Sequence, residues 1–331
     1  MNKKLVILTT HFGKNFSGGS KATCEIFERM EGSFSETIVL CNKVGNHLFS
    51  NAKIHLFGNW LHLIKILNKL KLENAIFYGD FYNSICFVLT GIPFYFTYHD
   101  NWPELAKTSL RFKFLSFYYS PLYKAIFKKA TAVFSVSEFK KEFINSFNKN
   151  VFLVRNGINI EKADHPKFSN NKILMVGNID SRKYQLALLI LPKIHELGIS
   201  IDIYGNIKNP SLGRKLESYS FVNLHGYQDK ISFESYPLLL HTSMMENISM
   251  VLCEAIYSGI PVLAFDVGGA REIIDHGNNG YLIKPFNIKE MARILHQIVS
   301  GKLKFNYNIN KIKDFSWTAA SKKYEEVILK T

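Results

Sequence analysis

Ser243-Met244-Met245-Glu246-Asn247-Ile248-Ser249-Met250-Val251-Leu252-Cys253-Glu254-Ala255-Ile256-Tyr257-Ser258-Gly259-Ile260-Pro261-Val262-Leu263-Ala264-Phe265 reads as a helix followed at once by a buried strand. Ser249–Ser258 is apolar and free of breakers, Gly259 and Pro261 stop it, and Pro261–Phe265 is a short apolar run of strand length. Outward from this stretch the pattern repeats. Strands are expected at Lys172–Val176, Ser200–Tyr204, Val222–Leu224, Leu238–Thr242 and Gly280–Ile283, with helices near Tyr184–Leu197, Ala270–Asp275 and Ile288–Ser300. An earlier series has the same rhythm: Leu5–Thr9, a helix from about Ser20 to Met30, Glu36–Leu40, Ala75–Tyr78, Phe94–Tyr98 and Ala132–Val136. Short apolar strands alternating with helical patterns imply parallel sheets with crossover helices. Arg155-Asn156-Gly157 and a polar stretch from Glu161 to Asn171, containing Pro166, separate the two series and read as a linker. The expectation is an α/β chain of two Rossmann-like, doubly wound domains facing across a cleft, residues 1–157 and 158–313, with 314–331 as a C-terminal helix returning to the N-terminal domain.

A chain of 331 residues, 47% hydrophobic and 21% charged, has the apolar material for two such cores. Cys24, Cys41, Cys86 and Cys253 are scattered, with no Cys-x-x-Cys pair, so no disulfide framework or zinc site is indicated and a reducing compartment fits. The apolar stretch after Met1-Asn2-Lys3-Lys4 is only Leu5–Leu8, a first strand rather than a signal peptide. Ser84–Tyr98, the most apolar segment, falls short of the roughly 20 residues a spanning helix needs and is broken by Gly91 and Pro93. The net charge of +14 is uneven: 20 Lys and Arg against 10 Asp and Glu over residues 1–155, and 21 against 17 beyond. Lys107, Arg111, Lys113, Lys124, Lys128 and Lys129 interleave with Leu110, Phe112, Phe114, Leu115, Phe117, Tyr118, Tyr119, Leu122, Tyr123, Ile126 and Phe127, a mixture suited to an anionic lipid surface. An amphipathic core helix with solvated cations has the same pattern. No nucleic-acid-binding module is visible despite the basic charge.

Glu246 and Glu254 place one carboxylate at the helix entrance and one about two turns in. Carboxylates accept paired hydrogen bonds from vicinal sugar hydroxyls, and the backbone N–H groups of Ile248, Ser249, Met250 and Val251 at a helix N-terminus suit phosphate oxygens. One helix end is thereby equipped for a nucleotide sugar; a capping acid with an unrelated surface glutamate is the plainer alternative.

The pair does not stand alone. Glu246 and Glu254 are followed by Glu254-Ala255-x-x-x-Gly259-x-Pro261-Val262 and then by Gly268-Gly269-Ala270-Arg271-Glu272, and this arrangement resembles glycosyltransferase family 4. Further segments resemble that family in the family's order over nearly the whole chain. They are Gly18-Gly19 before a helix, Tyr98-His99-Asp100 at a strand end, Ala132–Glu138, Arg155-Asn156-Gly157-Ile158, Val176-Gly177-Asn178 through Arg182-Lys183, and Phe315-Ser316-Trp317. The resemblance implies the GT-B fold and a glycosyltransferase that retains anomeric configuration without a metal or other cofactor. It implies His99, Glu246 and Lys183 as catalytic, and Gly18, Gly19, Asn178, Arg182, Lys183, Ile248, Ser249, Met250 and Glu254 as donor-binding. The donor would be a nucleoside diphosphate sugar, a UDP-sugar favoured over a GDP-sugar. The acceptor would be a saccharide or lipid-linked sugar of a bacterial surface polysaccharide, capsule or lipopolysaccharide, with the enzyme peripheral at the cytoplasmic face of the membrane.

The sequence departs from the family at defined points. The family's Arg is Asn178 here, which removes a permanent cation from the leaving-group site unless Arg182 turns its side chain inward. The Gly after the family's Lys is Tyr184, and its Gly-Phe-Gly is Asn247-Ile248-Ser249. A nucleotide-sugar 2-epimerase of the same architecture, or a binding subunit without turnover, are the competing expectations. Tyr227 is placed either in the base pocket or simply at a strand end.

Overall fold

The computed structural model describes residues 3–159 and 171–330. The linker expected over 161–171 lies outside the described residues except for Asn171. The chain forms two compact units, Met1–Gly157 with Phe315–Thr331, and Ile158–Asp314.

In the first unit, apolar runs such as Leu5-Val6-Ile7-Leu8, each fully buried, form a central sheet because both faces are covered by helices. Its strands are β1 (Lys4–Leu8), β3 (Thr37–Cys41), β5 (Ala52–Leu56), β6 (Ala75–Asp80), β7 (Tyr95–Tyr98), β8 (Ala132–Ser135) and β9 (Val151–Leu153). All are parallel, in the order β5-β3-β1-β6-β7-β8-β9. A two-stranded ribbon, β2 (His11–Phe12) with β4 (Lys43–Val44), stands beside it. The helices are α1 (Gly18–Glu28), α2 (Trp60–Leu70), α3 (Ile85–Thr90), α4 (Leu110–Lys129) and α5 (Glu138–Asn145). Ser17, Asn59, Ser109 and Ser137 cap α1, α2, α4 and α5 by accepting from the backbone three residues on.

The second unit carries β10 (Lys172–Val176), β11 (Ser200–Tyr204), β12 (Val222–Gly226), β13 (Leu239–His241), β14 (Val262–Phe265) and β15 (Gly280–Ile283), parallel in the order β12-β11-β10-β13-β14-β15. Its helices are α6 (Ser181–Tyr184), α7 (Ala187–Glu196), α8 (Pro210–Glu217), α9 (Met250–Tyr257), α10 (Ala270–Ile273) and α11 (Ile288–Val299). The helix expected over Tyr184–Leu197 is α7, and a further short helix, α6, precedes it outside the expected set. Asp180 caps α6 by accepting from the Lys183 N–H at 3.0 Å, and α7 starts afresh at Ala187. The strands β2, β4, β5 and β9 lie outside the expected set. Of these, β5 and β9 are sheet edges, and Ala-Lys-Ile-His-Leu lacks the apolar run that a central strand shows.

The last helix, α12 (Trp317–Leu329), belongs to the first unit. Its Tyr324 is buried, stacks on Phe134 at 3.9 Å between centroids, and shares a 2.8 Å hydrogen bond with Thr97. Gly157 lies so close to Trp317 that a Cβ would fall 2.1 Å from the Trp317 nitrogen, so only glycine fits there.

In each sheet the connections change direction once, between β1 and β6 and between β10 and β13. Open parallel sheets bind ligands outside the carboxyl ends of the strands at such points. The residues singled out above lie on the loops that leave these strands or their neighbours.

Candidate functional site

In the second unit the β10–α6 turn and the β13–α9 turn bring three side chains toward one carboxylate oxygen. Arg182 donates from Nη1 to Glu246 Oε1 at 2.9 Å, to the Met245 carbonyl at 2.7 Å and to Ser243 Oγ at 3.1 Å. Lys183 Nζ lies 3.4 Å from the same Oε1, and His241 Nε2 lies 3.7 Å from it and 3.4 Å from Ser249 Oγ. The two turns are stitched by the Met244 N–H to the Arg182 carbonyl at 2.9 Å and by Thr242 Oγ1 to the Lys183 carbonyl at 2.6 Å. Burial pushes the Glu246 carboxyl up, but Arg182, then Lys183 and His241, outweigh it and hold the group well below the usual carboxylate range. Burial pushes His241 down to about 4, so a neutral imidazole sits behind the pair. Arg182 therefore does turn inward, within one hydrogen bond of the carboxylate that Lys183 also approaches, whereas Asn178 stands half-buried without a charge.

Glycines make this convergence sterically feasible. Gly177 has φ +139°, and a Cβ there would come within 2.9 Å of Lys183 Cδ and Nζ, so the lysine crosses directly over the turn. The Gly268-Gly269 pair, which sequence alone reads only as a motif, presses on the Glu246 backbone. A Cβ on Gly268 would sit 1.6 Å from the Glu246 carbonyl oxygen, and φ there is +56°. Gly269 donates its N–H to the Asn247 carbonyl at 3.0 Å.

Beyond Glu246 the backbone enters α9 through Ile248 and Ser249. Ser249 is the N-cap and its side chain makes no capping bond, so the first N–H groups of α9, Met250 among them, receive no bond from the cap side chain. Glu254 is half-buried on α9. Tyr227, on the loop after β12, has its phenol pushed up to about 12 by burial, by Asp229 and last by the charge of Glu254.

In the first unit Gly18 opens α1, and Gly19 lies against His99 and Phe81. A Cβ on Gly19 would be 3.0 Å from His99 Cγ and 2.9 Å from Phe81 Cζ. His99 follows β7 directly. Burial pushes its imidazole down to about 4, and Nε2 is shut off from solvent with no hydrogen-bond partner among the described residues. Phe81 holds φ +55°, a conformation a bulky residue rarely adopts, and its ring lies 5.8 Å from that of His99. Sequence reading missed Phe81 and His241. Neither carries a local signal, since a lone aromatic after a strand and a lone histidine at a strand end both read as packing. Among the described residues no three His, Cys, Asp or Glu side chains gather as a metal site.

Two parallel α/β sheets, each with its candidate residues at the carboxyl ends of its central strands, define a GT-B architecture. The model of glycosyl transferases group 1 matches residues 158–314 and that of glycosyltransferase family 4 matches residues 31–162; together they span most of the chain, which belongs to these glycosyltransferases. Over 175 residues, 48% of this chain and 35% of the relative, it is 30% identical to poly(ribitol-phosphate) alpha-N-acetylglucosaminyltransferase of Staphylococcus aureus (strain COL). The matched stretches cover 35%, 46% and 61% of the lengths of three curated relatives. Among solved structures it superposes on WaaG, a glycosyltransferase involved in lipopolysaccharide biosynthesis, with a TM-score of 0.78 at 18% identity over 98% of this chain and 99% of that one. It superposes on HepE of Anabaena in complex with UDP-glucose with a TM-score of 0.76 at 16% identity over 99% and 100%.

Proposed function

We propose that this chain transfers a hexose-type sugar from a nucleoside diphosphate sugar, a UDP-sugar in the first instance, to a saccharide or lipid-linked acceptor in the synthesis of a bacterial surface polysaccharide, capsule or lipopolysaccharide. The observation that carries this reading is the convergence of Arg182 and Lys183 on Glu246, three residues before the cap of α9. Two fixed cations beside a helix N-terminus suit a diphosphate, and they stabilise it most as it departs with the bonding electron pair. Glu246 then orients hydroxyls of the transferred sugar and Glu254 those of the ribose. His99, neutral at physiological pH, serves as a hydrogen-bonding group at the sugar rather than as a cation. The UDP-glucose bound to HepE and the involvement of WaaG in lipopolysaccharide biosynthesis support the donor and pathway class.

Transfer proceeds with retention and without a metal cofactor. The acceptor oxygen bonds to the anomeric carbon on the face the diphosphate leaves, the carbon–oxygen bond to the diphosphate breaks, and the acceptor proton passes to a diphosphate oxygen. Mass spectrometry during turnover should detect no covalent glycosyl-enzyme; a trapped adduct overturns this route. Glu246→Ala should abolish release of UDP from UDP-glucose with an unchanged circular dichroism spectrum, and undiminished release in that variant refutes the assignment. Domain roles follow the same reading: 1–157 serves the acceptor, 158–313 the donor.

Membrane association at the cytoplasmic face completes the proposal. Among the described residues no helix is long and apolar enough to cross a membrane. On α4, Leu110, Phe114, Phe117 and Tyr118 are exposed and share one helix face, with Lys107, Arg111, Lys113, Lys124, Lys128 and Lys129 also exposed. Apolar groups with interspersed cations suit an anionic bilayer surface.

A further inference from the structure

The segment after β7 is held rigid from beneath by groups that are costly to bury. Lys140 on α5 is fully buried; it donates to the Trp102 carbonyl at 3.0 Å and pairs with Glu104. Tyr98 donates to the same carbonyl at 2.7 Å, and Tyr123 donates to Asp100. Burying the lysine costs desolvation, which its pairing with Glu104 and its bond to the Trp102 carbonyl offset, and these bonds tie the loop to α5.

Around this fixed segment three tyrosines gather beside a carboxylate. Tyr119 stacks on Trp102 at 5.2 Å between centroids, and Tyr82 and Tyr118 meet Tyr119 edge-on at 5.4 and 5.0 Å. Burial raises the phenols of Tyr82 and Tyr119, and the charge of Asp100 reaches both, with Tyr118 acting on each and Tyr82 on Tyr119. Buried core tyrosines hydrogen-bond their hydroxyls. Here the hydroxyls of Tyr82, Tyr118 and Tyr119 bond to none of the described residues, and Tyr118 is 51% exposed. The same loop holds His99 and Asn101, whose buried Oδ1 has no partner among the described residues.

We propose that Tyr82, Tyr118, Asp100 and Asn101 form the acceptor-sugar subsite, binding a neutral pyranose with its C–H face on the tyrosine rings and its hydroxyls at Asp100 and Asn101. This rests on the transferase reading above and assigns that reading its acceptor residues. The negative face of an aromatic ring attracts the polarised C–H edge of a sugar, and a carboxylate accepts from its hydroxyls. Asp100 disfavours a phosphate or an anionic headgroup at this point. Tyr118 directly follows Phe117 on the exposed apolar face of α4, so a sugar held here keeps its lipid anchor over that face. Lys140 is a positioning residue for the loop.

Saturation-transfer NMR of the full chain without nucleotide, against methyl glucoside, galactoside, mannoside and N-acetylglucosaminide, tests the subsite. At least one pyranoside should bind, about tenfold more weakly in Tyr118→Ala and Tyr82→Ala, and within about threefold of native in Tyr118→Phe. Binding should persist in Glu246→Ala, which separates this subsite from the donor sugar's. No saturation transfer to any of the four pyranosides, or equal binding in native and both alanine variants, overturns the proposal. UDP-glucose stabilisation is read on the same samples: retained without pyranoside binding, it leaves the donor reading intact and removes only this subsite.

Discussion

Arg182 supplies a cation beside the turn where Asn178 carries none. One nitrogen of its guanidinium, Nη1, makes three contacts within one turn, to Ser243, Met245 and Glu246, and the planar group is fixed there at permanent charge. Arg182→Ala should raise the Kd for a UDP-sugar about tenfold or more, and Arg182→Lys should recover only part of it, as measured by titration calorimetry; equal affinity in native and Arg182→Ala removes the residue from the site. Gly268→Ala places a Cβ 1.6 Å from the Glu246 carbonyl oxygen at a positive φ. It should cost about 1–3 kcal/mol of stability and weaken donor binding with it, because relief requires the Glu246 backbone to move. Glu246, Lys183 and Gly268-Gly269 are singled out in the sequence through the family resemblance, and the fold brings Lys183 and the Gly268 turn against Glu246. The inward turn of Arg182 was not legible in the sequence, since the same residue on a four-residue helix points to solvent or to Glu246 according to packing that only the folded turn defines. His241 and Phe81 left no trace in the pattern for the same reason.

At the scale of elements, β6 ends in a polar group that the fold buries deliberately. Asp80 is fully buried, accepts from Thr23 of α1 at 2.6 Å, and is pushed up to about 7 by that burial. The folded state thus holds a proton on Asp80 up to about pH 7, which the unfolded chain releases near pH 4. This contribution to stability is fully present below pH 4 and is lost as pH rises through 7, with a slope of up to about 1.4 kcal/mol per pH unit. Asp80→Asn should remove that slope in denaturant titrations between pH 5 and 8; an unchanged slope contradicts it. His99 acts in the opposite sense. Folding lowers it to about 4, so the unfolded chain takes up a proton first as pH falls below its ordinary value near 6.5, and stability declines toward pH 4. The helix α12 meets the same layer, and Tyr324→Ala should destabilise by about 3 kcal/mol through loss of its stack on Phe134 and its bond to Thr97. Element identity was read correctly wherever an apolar run is central. The strands β2, β4, β5 and β9 and the helices α2, α3, α5, α6 and α8 escaped: β2, β4 and β9 are two or three residues long, β5 mixes polar with apolar residues, and α6 is a four-residue turn set by the Asp180 cap rather than by periodicity.

For the whole molecule, two parallel sheets with crossover helices follow from alternation, while the strand order and its switch points are visible only in the fold and the chemistry rests on motifs that alternation does not specify. The proposed bilayer contact follows from charge placed with exposed aromatics on α4. Sedimentation with vesicles containing phosphatidylglycerol should carry the protein down, less so as salt rises and less in Phe114→Ser with Phe117→Ser; equal recovery with neutral and anionic vesicles contradicts the contact. The central claim is that the second unit binds a nucleoside diphosphate sugar, and it is tested most directly by thermal unfolding across UDP-, GDP-, CMP- and ADP-sugars, native against Glu254→Ala. A selective rise in Tm with one base, strongest for a UDP-sugar and lost in Glu254→Ala, is the predicted result. No rise with any nucleotide sugar, or an equal rise in the variant, contradicts it.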